Sequence, residues 1–153
     1  MQPLTAIDNK VFFSGRAGLK MDSSNPNCHG RAFQSLEITG DQTYLVTARF
    51  MTGNICSVHK NVLIRVKWSR GEEQLGYNYI YTIDSKTEGW FHASEKIKPV
   101  TGATTAELSL EFRWSTGTVW WDDISFETCP EVPPRKNIPV FIDLFISYKV
   151  QLI

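Results

Sequence analysis

The feature that most constrains the fold is a two-residue alternation of apolar and polar side chains in short runs. In the runs 43–51, 61–68 and 106–114, nearly every second residue is apolar. Successive side chains on a β-strand point to opposite faces, so each run predicts a strand with one face in the core. The predicted inward residues are Tyr44, Val46, Ala48, Phe50, Val62, Ile64, Val66, Trp68, Leu108, Leu110, Phe112 and Trp114.

Turn residues separate eight such runs between residues 17 and 127. Glycine and short polar side chains, which suit tight turns, recur between the runs, for example at 39–41, 69–71 and 115–117. No segment between them predicts a good helix. The sequence therefore predicts an all-β, antiparallel two-sheet β-sandwich of the jelly-roll type. The predicted strands are 17–21, 31–38, 43–51, 61–68, 75–83, 90–98, 106–114 and 118–127.

The composition changes after Cys129, where several prolines follow one another closely. Proline fixes φ and donates no backbone hydrogen bond, so this stretch predicts a stiff linker. We predict one β-sandwich domain at 1–129, a linker at 130–137 and an apolar tail at 138–153. The tail is shorter than the roughly 20 residues of a membrane-spanning helix. It is interpreted either as the truncated start of a following domain or as an extra docked strand.

The charge balance excludes two classes of partner. The chain has 16 basic and 16 acidic side chains, a formal net charge of zero. A neutral chain has no general electrostatic attraction to nucleic acid or to an anionic membrane, so neither is a predicted partner. The opening residues show no signal-peptide pattern. Cys28, Cys56 and Cys129 lack the close spacing of a zinc ribbon and allow at most one disulfide.

The sequence predicts no catalytic group. His29, His59 and His92 are scattered, and no nucleophile or metalloprotease motif accompanies them. Asp122 and Asp123 are neighbours on a predicted strand, so their side chains point to opposite faces. They cannot jointly flank a glycosidic bond as an acid and a base must. The chain is therefore predicted not to be an enzyme.

A stripe of aromatic side chains is the most informative candidate for binding. Tyr77, Tyr79 and Tyr81 are two residues apart and share one face of a predicted strand. A flat ring can cover the apolar C–H face of a sugar while neighbouring polar groups bind its hydroxyls. If Ile80 is in the core, the tyrosines are exposed. The opposite assignment, with the tyrosines in the core and Asn78 outside, fits the pattern equally well.

The five tryptophans are divided between packing and binding. Trp121 lies on the strand face opposite to Trp120, Ile124 and Phe126. If those three are core residues, Trp121 points outward, where so large an apolar side chain indicates binding. Trp120 and the remaining tryptophans are expected to pack in the core, the latter being Trp68, Trp90 and Trp114.

Three segments resemble those of jelly-roll carbohydrate-binding modules. Residues 13–21, FSGRAGLKM, are similar to the family segment HSGKxSLKL, although Phe13 stands where the family usually has histidine. Residues 40–52, GDQTYLVTARFMT, are similar to PGKTYxLSAWVKT, and residues 117–126, GTVWWDDISF, to the closing strand GTVxxDDVxL. The resemblance is to families four, nine, sixteen and twenty-two. The first strand of that family is either shortened in residues 2–7 or absent.

This resemblance implies a noncatalytic module in an extracellular protein. It would bind an oligosaccharide or polysaccharide of the plant type, a β-glucan or a xylan, and hold it against a tethered hydrolase. The resemblance also implies a structural calcium ion bound by Asp122 and Asp8, since hard carboxylate oxygens suit calcium. The alternative is that Asp122 hydrogen-bonds turn backbone. The predicted sugar-binding residues are Tyr77, Tyr79, Tyr81 and Trp121 for stacking, and Arg49, Arg65, Glu111 and Arg113 for hydrogen bonds.

Two other functions compete with sugar binding. A β-sandwich can serve only as a structural or protein-interaction domain, because a fold does not establish a function. An enzyme fragment would need catalytic groups beyond Arg135 that this chain does not contain. Aromatic side chains exposed in a groove favour sugar binding, and their burial favours the structural domain.

Overall fold

The structure is a computed structural model that describes residues 1–129, 151 and 152. Most of the described chain is in strands, and the one short helix among these residues is α1 (Val58–Asn61). The strands are β1 (Leu4–Asp8), β2 (Gly18–Ser23), β3 (His29–Glu37), β4 (Thr43–Gly53), β5 (Val62–Arg70), β6 (Glu73–Tyr79), β7 (Ile83–Thr87), β8 (Trp90–Ile97), β9 (Thr105–Arg113), β10 (Gly117–Cys129) and β11 (Gln151–Leu152).

The strands form two antiparallel sheets with the apolar core between them. The six-stranded sheet has the order β1-β2-β10-β4-β8-β7, and the five-stranded sheet has the order β11-β3-β9-β5-β6. The largest buried side chains come from both sheets and include Trp68, Phe112, Phe50 and Met21. The predicted all-β, antiparallel two-sheet sandwich is confirmed.

The predicted strands are present, with ends that differ by a few residues. The run 75–83 ends as a strand at Tyr79, because Ile80 enters the core and the chain crosses to the other sheet, where β7 begins. The N–H of Ile80 donates to the carbonyl oxygen of Ile64 at 3.0 Å. Strand β1 pairs with β2, so the first strand is present in short form and is not lost.

Trp121 is fully buried, and the prediction that it points outward is wrong. The cause is a β-bulge in β10, where Asp122 pairs with Arg49 but Ser125 pairs with Thr47. One extra residue on β10 therefore falls between these pairs, and Asp123 has a left-handed φ of +46°. If the two-residue alternation is counted through the bulge without allowing for the extra residue, every residue before the bulge is assigned to the wrong face of the sheet.

Trp114 is 61% exposed, so the prediction that it packs in the core is also wrong. It follows the last residue of β9 and has a φ of +54°, a left-handed conformation that interrupts the strand. The alternation of β9 therefore does not extend to it. Trp68 and Trp90 are buried as predicted.

The predicted linker at 130–137 lies outside the described residues, as does the predicted tail at 138–153 apart from residues 151 and 152. Those two form β11, which pairs with β3 at Phe33 and Ala32. The division of the chain into domain, linker and tail thus stays a prediction. In the part of the chain that the structure describes, no helix is long and apolar enough to cross a membrane.

Candidate functional site

The candidate site lies on the side of the five-stranded sheet that faces away from the core, which we call the outer face. Antiparallel register places side chains from β3, β9, β5 and β6 next to one another across this face. One row contains Ser35, Glu107, Lys67 and Tyr77, and the next contains Phe33, Ser109, Arg65 and Tyr79. We call six charged residues of this face the outer-face cluster: Arg31, Arg65, Lys67, Glu107, Glu111 and Arg113.

Glu107 is held by two cations from the neighbouring strands. Its carboxylate accepts hydrogen bonds from Nη1 of Arg31 at 2.5 Å and from Nζ of Lys67 at 3.1 Å. Burial acts to raise the pKa of Glu107, but the hydrogen bonds from Lys67 and Arg31 outweigh burial and hold the pKa below its ordinary value. Glu107 is therefore a charged anchor for two basic side chains.

Glu111 lies on the same face of β9, four residues beyond Glu107, and only 1% of it is exposed. Its oxygens lie 2.9 Å from Nε of Arg65 and 3.6 Å from Nη1 of Arg113. The contact with Arg65 is close enough for an ion pair but is not aligned as a hydrogen bond, and neither carboxylate oxygen has a hydrogen-bond partner among the described residues. Glu111 thus lies beneath the two guanidinium groups and positions them.

Exposed aromatic rings border the cluster. Tyr77 is 41% exposed and Tyr81 is 72% exposed, and the rings of Tyr79 and Tyr81 are 5.9 Å apart. The stripe is outside because Ile80 is buried and Asn78 accepts a hydrogen bond from Nε1 of Trp68 at 2.6 Å. Of the two assignments that the sequence left open, the structure supports the exposed one.

Three of the cationic side chains stack on aromatic rings. The guanidinium carbon of Arg31 lies 4.6 Å from the ring centre of Phe33, and that of Arg65 lies 5.0 Å from the ring of Tyr77. The guanidinium of Arg113 lies 4.4 Å from the ring of Trp114. Cation–π contacts of this kind restrain the planar guanidinium groups and stabilise their charge.

Two predicted site residues do not belong to the outer face. Arg49 is on β4 in the six-stranded sheet, where its guanidinium stacks on Phe13 at 4.0 Å and its Nε lies 3.8 Å from Asp123. Trp121 is in the core. The structure brings together the other six, which are Tyr77, Tyr79, Tyr81, Arg65, Glu111 and Arg113.

The sequence interpretation missed several members of the site. Arg31 and Phe33 join it because β3 pairs with β9, a register that local alternation does not reveal. Lys67 and Glu107 lie on the predicted polar faces of their strands, and this position is the sequence feature that could have assigned them to the site. For Trp114 the signal was the turn at 115–117, which ends the alternation before it reaches this residue.

Asp8 and Asp122 anchor the loop between β1 and β2. Asp8 accepts hydrogen bonds from the N–H groups of Lys10 and Val11 and from Nε1 of Trp120. The Lys10 N–H, followed by the Trp120 side chain, contributes most to lowering the pKa of Asp8.

Asp122 accepts hydrogen bonds from the N–H groups of Phe13 at 2.6 Å, Ser14 at 2.9 Å and Asp123 at 2.8 Å. All carboxylate oxygens of Asp8 and Asp122 are thus in use as backbone or indole acceptors. Within the described chain, no group of three or more His, Cys, Asp and Glu side chains could hold a metal ion. The structure thus shows both aspartates as hydrogen-bond acceptors of the loop, and calcium stays a prediction from the resemblance.

An apolar cleft of about 240 Å³ opens elsewhere, between the two sheets. Its lining consists largely of core side chains, including Leu19, Leu108, Leu110 and Phe126. A sugar needs polar groups directed at its hydroxyls, and this cleft has few. The outer face therefore remains the candidate site.

The comparison with solved structures supports the fold. No family model and no curated protein matches the chain. A family 16 carbohydrate-binding module superposes with a TM-score of 0.53 and 14% identity, over 81% of this chain and 85% of that one. The chain has the jelly-roll fold of carbohydrate-binding modules. At this identity the likeness concerns the fold alone.

Two larger proteins contain domains with the same jelly-roll fold. The Clostridium thermocellum endo-1,4-beta-D-xylanase 10B, as CBM22-1-GH10 modules complexed with xylohexaose, matches with a TM-score of 0.62 and 18% identity, over 82% of this chain. The enzymatically active domain of bacteriophage CBA120 tailspike protein 4 matches with a TM-score of 0.65 and 8% identity, over 84% of this chain. This chain spans only 24% and 18% of the lengths of those chains.

Proposed function

We propose that this chain is a noncatalytic carbohydrate-binding module whose outer face binds a β-glucan or xylan chain. We propose further that it belongs to an extracellular protein and holds the polysaccharide against a tethered hydrolase. The observation that carries the proposal is the combination, on one open sheet face, of exposed aromatic rings with ordered guanidinium groups. The exposed rings are those of Tyr77, Tyr81 and Trp114.

Rings and guanidinium groups suit the two kinds of surface that a sugar presents. The C–H face of a pyranose is apolar and packs on an aromatic ring, whereas its hydroxyl rim needs hydrogen-bond partners. Each arginine has five N–H donors, so the two carboxylates of the outer-face cluster leave many donors for a ligand. Trp114 and Arg113, in contact at 4.4 Å, offer both kinds of group at one place.

The cluster is also ordered before any ligand arrives. Glu107 and Glu111 hold the basic side chains from below, and aromatic rings restrain three of them from the side. Ordering a long, flexible side chain costs about 0.5–1.5 kcal/mol on binding. A face on which these side chains are already fixed avoids much of that cost.

The same geometry supports a noncatalytic role. Glycoside hydrolysis needs two carboxyl groups flanking the bond, one of which donates a proton and has a raised pKa. Glu107 and Glu111 lie on the same strand and beneath cations, and the pKa of Glu107 is lowered. Neither is placed to donate a proton to a glycosidic oxygen.

Two of the structural neighbours have names that agree with the proposal. One is a xylanase fragment crystallised with xylohexaose, and another is a family 16 carbohydrate-binding module. A noncatalytic module raises the effective concentration of polymer near a tethered enzyme without new chemistry.

Native affinity electrophoresis of the full chain tests the proposal. Among gels that contain soluble xylan, mixed-linkage β-glucan or mannan, we expect the xylan or the β-glucan gel to retard the chain, with a binding free energy of about −4 to −8 kcal/mol and no release of reducing sugar. Absence of retardation on all three polymers would reject sugar binding and leave the structural or protein-interaction domain.

A further inference from the structure

The outer-face cluster contains more positive than negative charge. Its four basic residues, Arg31, Arg65, Lys67 and Arg113, face two carboxylates, those of Glu107 and Glu111, which leaves a surplus of two positive charges. The whole chain is neutral, so the surplus is local.

Nearby charges reduce this surplus only in part. Glu37 is on the same face but at the far end of β3, opposite Thr105. Arg70 and Glu73, at the β5–β6 hairpin, pair with each other at 2.8 Å and cancel. With Glu37 included, the face still has a net positive charge, and the surplus is greatest at the end occupied by Arg113.

Arg113 has the longest ion-pair contact of the four cations. Its contact with Glu111 is 3.6 Å long, compared with 2.9 Å for Arg65, and the buried Nε atoms of both arginines have no hydrogen-bond partner among the described residues. Its guanidinium stacks on the exposed ring of Trp114. A sugar ring that packs on the free face or edge of Trp114 can therefore direct an acidic substituent toward Arg113.

We propose that the outer face prefers polysaccharides that bear carboxylates, that is, chains with uronic acid residues, and that Arg113 binds the carboxylate. This inference rests on the proposed function and specifies its ligand class. A planar guanidinium matches a carboxylate with two parallel hydrogen bonds, and such charge-assisted bonds are about twice as strong as neutral ones.

The experiment uses one polymer in two charge states. Glucuronoxylan is compared with the same polymer after its carboxyl groups have been reduced to alcohols, so that the backbone is unchanged. At about 50 mM salt the full chain should bind the acidic polymer roughly five- to tenfold more tightly than the reduced one. The preference should decrease at about 500 mM salt, where charges are screened over a few ångströms.

Variants locate the preference. Arg113→Gln should abolish it while leaving binding to the reduced polymer measurable. Lys67→Gln should weaken it and provides a second test if Arg113→Gln does not fold. Lys20→Gln is the matched control. It removes one positive charge, as Arg113→Gln does, but Lys20 lies near Trp120 on the other sheet. It should keep the preference.

The outcomes separate the two proposals. Equal binding to both forms of the polymer rejects the acidic preference and leaves the proposed function intact. If the chain binds neither form of the polymer and no neutral glycan, both proposals are rejected. An unchanged preference in Arg113→Gln removes Arg113 as the carboxylate site. Equal competition by polyglutamate, a carboxylate polymer without sugar, would show attraction to charge alone and overturn the inference.

Discussion

Nε of Arg65 lies 2.9 Å from Oε1 of Glu111, on a sheet face that is open to solvent, yet the carboxylate beneath is almost completely buried. A buried carboxylate is stable only with cations beside it, and Arg65 and Arg113 provide them. The relationship works in both directions, because the carboxylate also fixes the guanidinium groups that we propose contact the sugar.

Glu111→Gln tests this relationship. Removing the charge leaves two partly buried guanidinium groups without a counter-ion, so we expect the free energy of unfolding to fall by about 1–3 kcal/mol. Urea denaturation measures the change. The control Glu73→Gln removes an exposed ion pair with Arg70 and should cost less than about 1 kcal/mol. Similar costs for both variants would contradict the positioning role of Glu111.

Two tryptophans should respond in opposite ways to the same substitution. Trp114→Ala removes an exposed ring, so the melting temperature should stay nearly constant while retardation on glycan gels is lost. Trp121→Ala empties a core site and should cost about 3–5 kcal/mol of stability. Thermal melting and affinity electrophoresis of both proteins check this. Normal glycan binding by folded Trp114→Ala would remove that ring from the site.

A pair of tyrosines provides a second comparison. Tyr81 is 72% exposed, so Tyr81→Ala should weaken glycan binding several-fold with little effect on stability. Tyr44 is buried, and its hydroxyl accepts from the N–H of Thr39 at 2.9 Å. Tyr44→Ala should therefore lower stability by about 3 kcal/mol or more. Unchanged glycan affinity of Tyr81→Ala in isothermal titration calorimetry would contradict the predicted stacking role.

Stability should depend on pH through Glu107. The pKa of Glu107 is lower in the folded state than its ordinary value of 4.5. Its contribution to stability is therefore fully present above pH 4.5 and is lost as the pH falls through the lower, folded-state pKa. Glu107→Gln lacks this contribution at every pH. The difference in melting temperature between wild type and Glu107→Gln should thus be largest near neutral pH and shrink below about 4.5. A constant difference from pH 7 to pH 3 would argue against the ion pairs with Arg31 and Lys67.

Asp122→Ala distinguishes a loop anchor from a calcium ligand. The Asp122 side chain accepts backbone hydrogen bonds from Phe13, Ser14 and Asp123, so its loss should lower stability by about 1–3 kcal/mol in calcium and in chelator alike. A melting temperature that rises with calcium in the wild type, but not in Asp122→Ala, would establish the calcium site instead.

The sequence was informative where structure is local. Alternation and turn residues predicted the strands, and they placed Arg65, Glu107 and Glu111 on polar faces. The pairing of Arg31 with Glu107, 76 residues apart, depends on which strands become neighbours, and no local pattern contains that information. The face of Trp121 depends on one extra residue in β10, where the backbone leaves the regular geometry on which alternation relies.

Tyr81 and Trp114 lie just beyond the ends of β6 and β9, whereas Glu107 and Glu111 lie within the central strand of their sheet. A mutation at either ring leaves the hydrogen-bonded ladder untouched, but a mutation at either carboxylate disturbs three strands at once. Evolution therefore has two separate ways of acting on this surface. The rings can be exchanged for others that fit a new polymer. The two carboxylates can change only together with the basic side chains that contact them.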